Sequence, residues 1–200
     1  MKQPFGVILA GGQATRMGGG DKGMRMLGAE SLLARVASRL APQVAALALN
    51  ANGDPARFAA SGLPVIPDTV AGFAGPLAGV LAGLDWAAAQ GADTIVTAAA
   101  DTPFFPCDLV PQLLLASEGM AHPLVLAATP HPDRGRIRHP TFGLWPVALR
   151  DDLREALEGG LRKVVLWTQA HGGREALFPD EDAFFNVNTP EDLARAETMI

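Results

Sequence analysis

Short apolar runs and stretches of helical period alternate along this chain from end to end. Phe5–Ala10 predicts a first strand. Ser31–Leu40 places Leu32, Leu33, Val36, Ala37 and Leu40 at helical spacing, with Ser31 suited to cap it. Val44–Leu49 is continuously apolar, as a strand covered on both faces would be. Pro55–Ala60 predicts a short helix and Pro64–Ile66 a short strand. Pro76–Gln90 reads as a helix opened by proline, and Thr94–Ala100 as the central strand. A helix over Asp108–Ser117 and strands over Leu124–Thr129 and Phe142–Trp145 follow. Helices are expected over Arg150–Glu158 and Leu161–Gln169. A last strand, Ala183–Val187, leads to a closing helix, Pro190–Met199. The stretch His131–His139, rich in Pro and Arg, reads as an exposed loop. The pattern predicts an α/β fold: a single-domain three-layer sandwich, with a Rossmann-like, mostly parallel sheet carrying helices on both faces. Its one domain is expected to span residues 1–200.

Composition narrows this reading. At 200 residues the chain is long enough for a sizeable core, and 48% of it is hydrophobic. A charged fraction of 18% argues against disorder. The formal net charge is −5, so non-specific binding to nucleic acid is not expected. Any phosphate site must then be a local positive spot on an acidic surface. The single cysteine, Cys107, excludes an internal disulfide framework and a thiolate zinc cluster, and reads as a small buried hydrophobe. With no visible signal peptide and no run long enough to span a membrane, a cytoplasmic location, without membrane attachment, is the default expectation.

The chemistry concentrates behind the first strand, in Val7-Ile8-Leu9-Ala10-Gly11-Gly12-Gln13-Ala14-Thr15-Arg16-Met17-Gly18-Gly19-Gly20-Asp21-Lys22-Gly23. Glycines allow backbone N–H groups to approach a polyanion closely. Arg16, as a fork, and Lys22, as a mobile point charge, could neutralise phosphate. The P-loop pattern does not fit, because Lys22 follows Asp21 and precedes Gly23. Gly18, Gly20 and Gly23 match G-x-G-x-x-G, but not directly after the strand and with no helical pattern opening there. A flexible linker would be richer in serine and would lack the order from strand to basic residues. The loop therefore reads as a site for a nucleoside triphosphate.

As a whole the loop resembles the nucleotidyltransferase pattern L-A-x-G-x-x-x-R-M-G…K. Within that superfamily, Leu9-Ala10-Gly11-Gly12 and Arg16-Met17-Gly18-Gly19-Gly20-Asp21-Lys22-Gly23 look most like the molybdenum cofactor guanylyltransferase family. Further blocks follow in that family's order: Asn50-Ala51-Asn52, then Pro67-Asp68, then Gly75-Pro76-Leu77-Ala78-Gly79. Asp101-Thr102-Pro103 and Asn186-Val187-Asn188-Thr189-Pro190-Glu191-Asp192-Leu193 complete the set.

Asp101 leaves the central strand where ligands of open α/β sheets sit, and a carboxylate there suits Mg²⁺ shared with phosphate oxygens. An Asp before Thr-Pro is also an ordinary turn residue, and the neighbouring blocks are what favour the metal role. The resemblance implies nucleotide contacts from Leu9, Ala10, Gly11, Gly12, Lys22, Asn50, Asp68 and Asp101, with Arg16 and Lys22 as electrostatic catalysts. Asn186 and Asn188 flank Val187, so strand alternation puts both side chains on one face. The resemblance implies a role for them on the side of the second, pterin substrate. Thr189 and Asp192 read as an N-cap and its reciprocal acid.

What the resemblance implies is GMP transfer from GTP to molybdenum-bound molybdopterin, with Mg²⁺ as cofactor. The attacking phosphate oxygen is already ionised, so no protein nucleophile is required. Molybdenum-insertion proteins and recipient molybdoenzymes are the implied partners, and a monomer is expected. Two other readings stand beside it. One is a cytidylyltransferase on the same cofactor, although Gly11 stands where that relative usually has alanine. The other is a non-catalytic GTP-binding carrier, which the joint presence of Arg16, Lys22 and Asp101 disfavours.

Overall fold

The computed structural model describes residues 2–11, 21–70, 72 and 75–200. Strand β1 is Phe5–Leu9, and β2 (Met26–Leu27) and β3 (Glu30–Ser31) form a small antiparallel pair. Helix α1, Leu32–Leu40, starts where the Ser31 hydroxyl accepts the Ala34 N–H at 3.1 Å. The next elements are β4 (Leu47–Asn50), β5 (Val65–Ile66), α2 (Pro76–Ala89), β6 (Thr94–Ala99) and α3 (Leu109–Ala116). The second half adds β7 (Val125–His131), β8 (Gly135–Pro146), α4 (Arg150–Glu158), α5 (Val164–Ala170), β9 (Arg174–Leu177) and α6 (Pro190–Glu197).

Seven strands form one sheet in the order β5-β4-β1-β6-β8-β7-β9. Only β8 runs against its neighbours; the other pairings are parallel. The chain builds outward from β1 through β4 to β5, then crosses back to place β6 on the other side of β1. Strand order thus reverses between β1 and β6, and a crevice opens there beyond the carboxyl ends of the strands.

Alternation along the strands explains the layers. Ile8, Val96 and Ala127 point to one face, where Leu33, Val36 and Leu40 of α1 and Val110 and Leu113 of α3 cover them. Val7, Ile95, Leu126 and Trp145 point to the other, under Leu77, Leu81 and Leu84 of α2, Leu153 of α4 and Trp167 of α5. Helix α2 is apolar nearly all round because it lies over the centre of the sheet. The buried indole of Trp145 donates to the Thr97 hydroxyl at 2.9 Å, so its polar edge is satisfied inside the core.

Four expectations change. Ala183–Val187 is not a strand: Glu181–Phe184 forms a 3-10 turn and the chain continues irregularly to Thr189. Two consecutive phenylalanines mimic a strand run there, but Phe184 is drawn into the core beneath the sheet's edge. Pro55–Ser61 is 3-10 rather than α-helical. The stretch His131–His139 is largely the turn and outgoing strand of a hairpin, because β8 starts at Gly135 and pairs with β7 down to Leu144. Cys107 is exposed, with its Sγ 3.2 Å from an Arg39 nitrogen, because the Pro-flanked loop before α3 holds it at the surface. Strand β9 and the β2–β3 pair are additions to the predicted set.

His139 roots the hairpin. Its ring stacks on Phe184 at 4.2 Å and its Nε2 lies 3.0 Å from the Thr129 hydroxyl. Burial lowers its pKa from 6.5 to about 4. Between those values the unfolded chain binds a proton that the native chain refuses, so stability falls as pH drops through that window. His139→Phe, which keeps an aromatic ring against Phe184, is expected to flatten this dependence. Urea titrations at several pH values between 4 and 7 check it.

Candidate functional site

The carboxyl ends of β1, β4, β5 and β6 share one rim, and the expected site residues lie along it. Leu9 and Ala10 end β1. The Ala10 N–H donates to the Asn50 carbonyl at 2.9 Å, and the Ala100 N–H donates to the Leu9 carbonyl at 3.0 Å. These bonds extend the sheet one residue past the strands and present Gly11 exposed at the edge. Gly12 and Arg16 lie outside the described residues.

Lys22 opens a 3-10 turn, Lys22–Met24, that passes close under the end of β6. Gly23 makes this approach possible: a Cβ there would stand 3.2 Å from the Ala100 Cβ and 3.4 Å from that of Leu33. The Lys22 Nζ consequently reaches the Asn188 Oδ1 at 2.8 Å and the Asp101 Oδ2 at 3.8 Å. Burial pushes the Asp101 carboxyl above its ordinary range, while the Lys22 charge and the Thr102 hydroxyl pull it back.

The last block meets Asp101 through a backbone clamp. Val187 N–H donates to the Asp101 carbonyl at 2.8 Å, and the Val187 side chain is fully buried with Leu27 and Leu32. The two flanking asparagines each meet a neighbour of Asp101, Asn188 the Lys22 ammonium and Asn186 the Thr102 hydroxyl, although no strand is present to alternate them. The Thr102 hydroxyl, itself fully buried, lies 3.3 Å from the Asp101 Oδ1 and donates to the Asn186 Oδ1. Behind them the expected capping box is complete. Thr189 Oγ1 accepts from the Asp192 N–H at 3.1 Å, and the Asp192 carboxylate accepts from Asn188 N–H and Thr189 N–H, each at 2.9 Å. Those backbone donors hold the Asp192 carboxyl below its usual range.

A second constellation occupies the β4–β5 end of the rim. Asn50 is buried, and its Nδ2 donates to the Ile66 carbonyl at 3.1 Å and to the Asp68 Oδ1 at 3.0 Å. Asn52 grips Asp68 from outside: its Nδ2 donates to the Asp68 Oδ2 at 2.7 Å, and its Oδ1 accepts the Asp68 N–H at 2.9 Å. Both amide protons of Asn50 are thus committed, and its remaining oxygen faces Gly79 of α2 and Gly11, which would put a Cβ 3.9 Å away. Thr102 and Asn52 carry the connections that the motif blocks contained without marking. Asn52 shares a side with Asn50 by simple i, i+2 spacing, which was a usable signal. Nothing in sequence marks Thr102, whose partner lies 84 positions away.

Among the described residues no group of three or more His, Cys, Asp or Glu could cage a metal. The donor set around Asp101 is one carboxylate with the amide oxygens of Asn186 and Asn188 nearby, all hard oxygens. That fits Mg²⁺ completed by substrate phosphates and water, and does not fit a zinc site. A separate groove of about 790 Å³ lies between α1 and the loop before α3, lined by Arg35, Arg39, Phe104, Cys107 and Ile200, and shares none of these residues.

Gly79→Ala tests the packing of the rim. Its methyl group would collide with the Asn50 Oδ1 and with Leu9, and Asn50 is already fastened to two partners. The expected result is a loss of about 1–3 kcal/mol in stability. Denaturant titration measures it, and unchanged stability would mean that Asn50 and Leu9 give way to the methyl group at no cost.

Known proteins resemble this chain throughout. Residues 6–172 match the family model of the MobA-like NTP transferase domain. A molybdenum cofactor guanylyltransferase of Cereibacter sphaeroides is 54% identical, with 98% of this chain and 96% of that protein covered. One from a Bradyrhizobium species is 53% identical over 97% and 92%. Among solved structures, molybdopterin-guanine dinucleotide biosynthesis protein A from Archaeoglobus fulgidus superposes with a TM-score of 0.71 at 24% identity, covering 98% and 97% of the two chains. A 4-diphosphocytidyl-2C-methyl-D-erythritol synthase from Anaerococcus prevotii gives 0.76 at 13%, over 99% and 96%, so the same fold persists where sequence has diverged. Matched by that family model over most of its length and by relatives more than 50% identical, this chain belongs to the MobA-like NTP transferase family.

Proposed function

We propose that this protein transfers GMP from GTP to the terminal phosphate of molybdenum-bound molybdopterin, releasing pyrophosphate. The observation that carries the reading is the meeting of Lys22, Asp101 and Asn188 at the sheet's switch point. It gains support from relatives named for that activity at 53–54% identity over nearly the whole chain.

The residues divide the work along the rim. Backbone N–H groups of the loop that opens at Gly11 and Gly12 receive the phosphates. Arg16 and Lys22 balance the charge that develops on the α-phosphate and the departing pyrophosphate. Asp68, oriented by Asn50 and Asn52, meets the nucleoside end. Asn186 and Asn188 stand on the side of the pterin phosphate. A phosphate oxygen of the second substrate forms the new bond to the α-phosphorus as the α–β phosphoanhydride bond breaks. That oxygen is ionised at neutral pH, so the chain needs no general base and supplies position and charge alone. Mg²⁺, held by Asp101 with phosphate oxygens, would supply further charge neutralisation.

Pyrophosphate release with molybdenum-loaded molybdopterin and Mg²⁺ tests the reading, with GTP and CTP run in parallel. Turnover is expected with GTP in preference to CTP. Lys22→Ala is expected to lower kcat by about 10²–10³, as removal of one preorganised charge partner does elsewhere. Asp101→Asn, which preserves shape, is expected to remove Mg²⁺-dependent turnover. Near-normal rates in both folded variants would sink the assignment.

A further inference from the structure

Arg57 is a cation near the site with three hydrogen-bond partners, and it belongs to none of the motif blocks. It sits in the 3-10 turn Pro55–Ser61, just beyond the Asn50-Ala51-Asn52 block. Its guanidinium uses all three of its nitrogens. Nε donates to the Asp54 carbonyl at 3.0 Å, Nη2 to the Asn52 carbonyl at 2.5 Å, and Nη1 to the Asp21 Oδ1 at 2.9 Å. Gly53 folds beneath it with φ +85°, and a Cβ there would stand 3.5 Å from Nη2.

These bonds join two parts of the rim that are otherwise separate. On one side, the Asn52 side chain holds Asp68 by one carboxylate oxygen and by its backbone N–H. On the other, Asp21 is the residue immediately before Lys22, and its backbone carbonyl closes the Lys22–Met24 turn by accepting from Met24 N–H at 3.0 Å. Asp21 also poses an electrostatic difficulty. Its side chain is 18% exposed, beside a loop that must receive a polyanion. A bare carboxylate there would repel the phosphates that Lys22 attracts. Arg57 cancels that charge, and its planar fork does so in one orientation, where a lysine could not serve both carbonyls as well.

We propose that Arg57 is a positioning residue for nucleotide binding, acting through Asp21: its guanidinium holds the Asp21 carboxylate in an ion pair, so that this charge does not repel the phosphates that Lys22 attracts. The assignment rests on the proposed nucleotidyl-transfer reading of the same rim and adds to it a residue outside the family's motif blocks. Its effect falls on ground-state binding of GTP, since Arg57 touches Asp21 and backbone carbonyls and leaves the reacting atoms to Lys22 and Asp101.

The test compares wild type, Arg57→Ala, Arg57→Lys, Asp21→Asn and the double variant Asp21→Asn/Arg57→Ala. Each is measured for Mg·GTP dissociation constant, for KM and kcat in pyrophosphate release, and for thermal unfolding. Arg57→Ala is expected to weaken GTP binding and raise KM about tenfold, with kcat within about threefold, since a charge-assisted pair is lost. Arg57→Lys should fall between. The double variant should recover most of the lost affinity, because removing the carboxylate removes the repulsion. A purely structural strap would leave the double variant as poor as Arg57→Ala. That result, or equal GTP affinity in wild type and Arg57→Ala, overturns the proposal. Tight GTP binding by wild type without turnover would overturn the transferase reading instead.

Discussion

The ammonium of Lys22 binds the two ends of this chain together. Its partner Asn188 lies 166 positions away, and Asp101 stands between them in space. The contact is possible only because of what surrounds it. Gly23 has no side chain to hold the turn off β6, Val187 anchors its segment in the core, and the Val187 N–H takes the Asp101 carbonyl. Each participant arrives on a different element, and each element is anchored by apolar packing together with backbone hydrogen bonds. The polar site inherits its precision from an apolar frame.

Burial and charge act in opposition at Asp101. Loss of water favours the protonated acid, whereas Lys22 and the Thr102 hydroxyl favour the carboxylate. Such a group gains from any cation that enters. The other carboxylate of the rim, Asp68, is handled differently: amide protons from Asn50 and Asn52 occupy it from both sides. One end of the crevice is thus prepared for charge and the other for hydrogen bonding, a division that suits a ligand with a polyanionic tail and a neutral head.

Much of the fold was legible because its signals are local. Strand alternation, the Ser31 and Thr189 caps, the proline opening α2 and the apolar central helix each depend on residues within a turn or two of one another. The order of the motif blocks supplied most of the rim. Errors arose where a local signal had a tertiary competitor. The Phe184-Phe185 pair looked like strand material, yet Phe184 packs among Phe142, Phe178 and His139, and that cluster sets the local backbone. The basic stretch after β7 looked like a loop and is indeed exposed, yet it forms the start of β8, where Arg136 and Arg138 pair with Glu175 of β9, an element with only four residues and a weak signature.

By itself the sequence determined the class of fold, the glycine-rich loop with its lysine, and the residues that each strand delivers to the rim. These follow from periodicity, from backbone freedom at glycine and from capping, all of which act over a few residues. Tertiary structure alone decided which of those residues touch. That Asn188 meets Lys22, that Thr102 joins Asp101 to Asn186, and that Arg57 pairs with Asp21 all depend on strand order and on helix packing across the sheet. Side-chain contacts over such separations are chosen by the shared core that brings the elements together, and no local pattern encodes that choice.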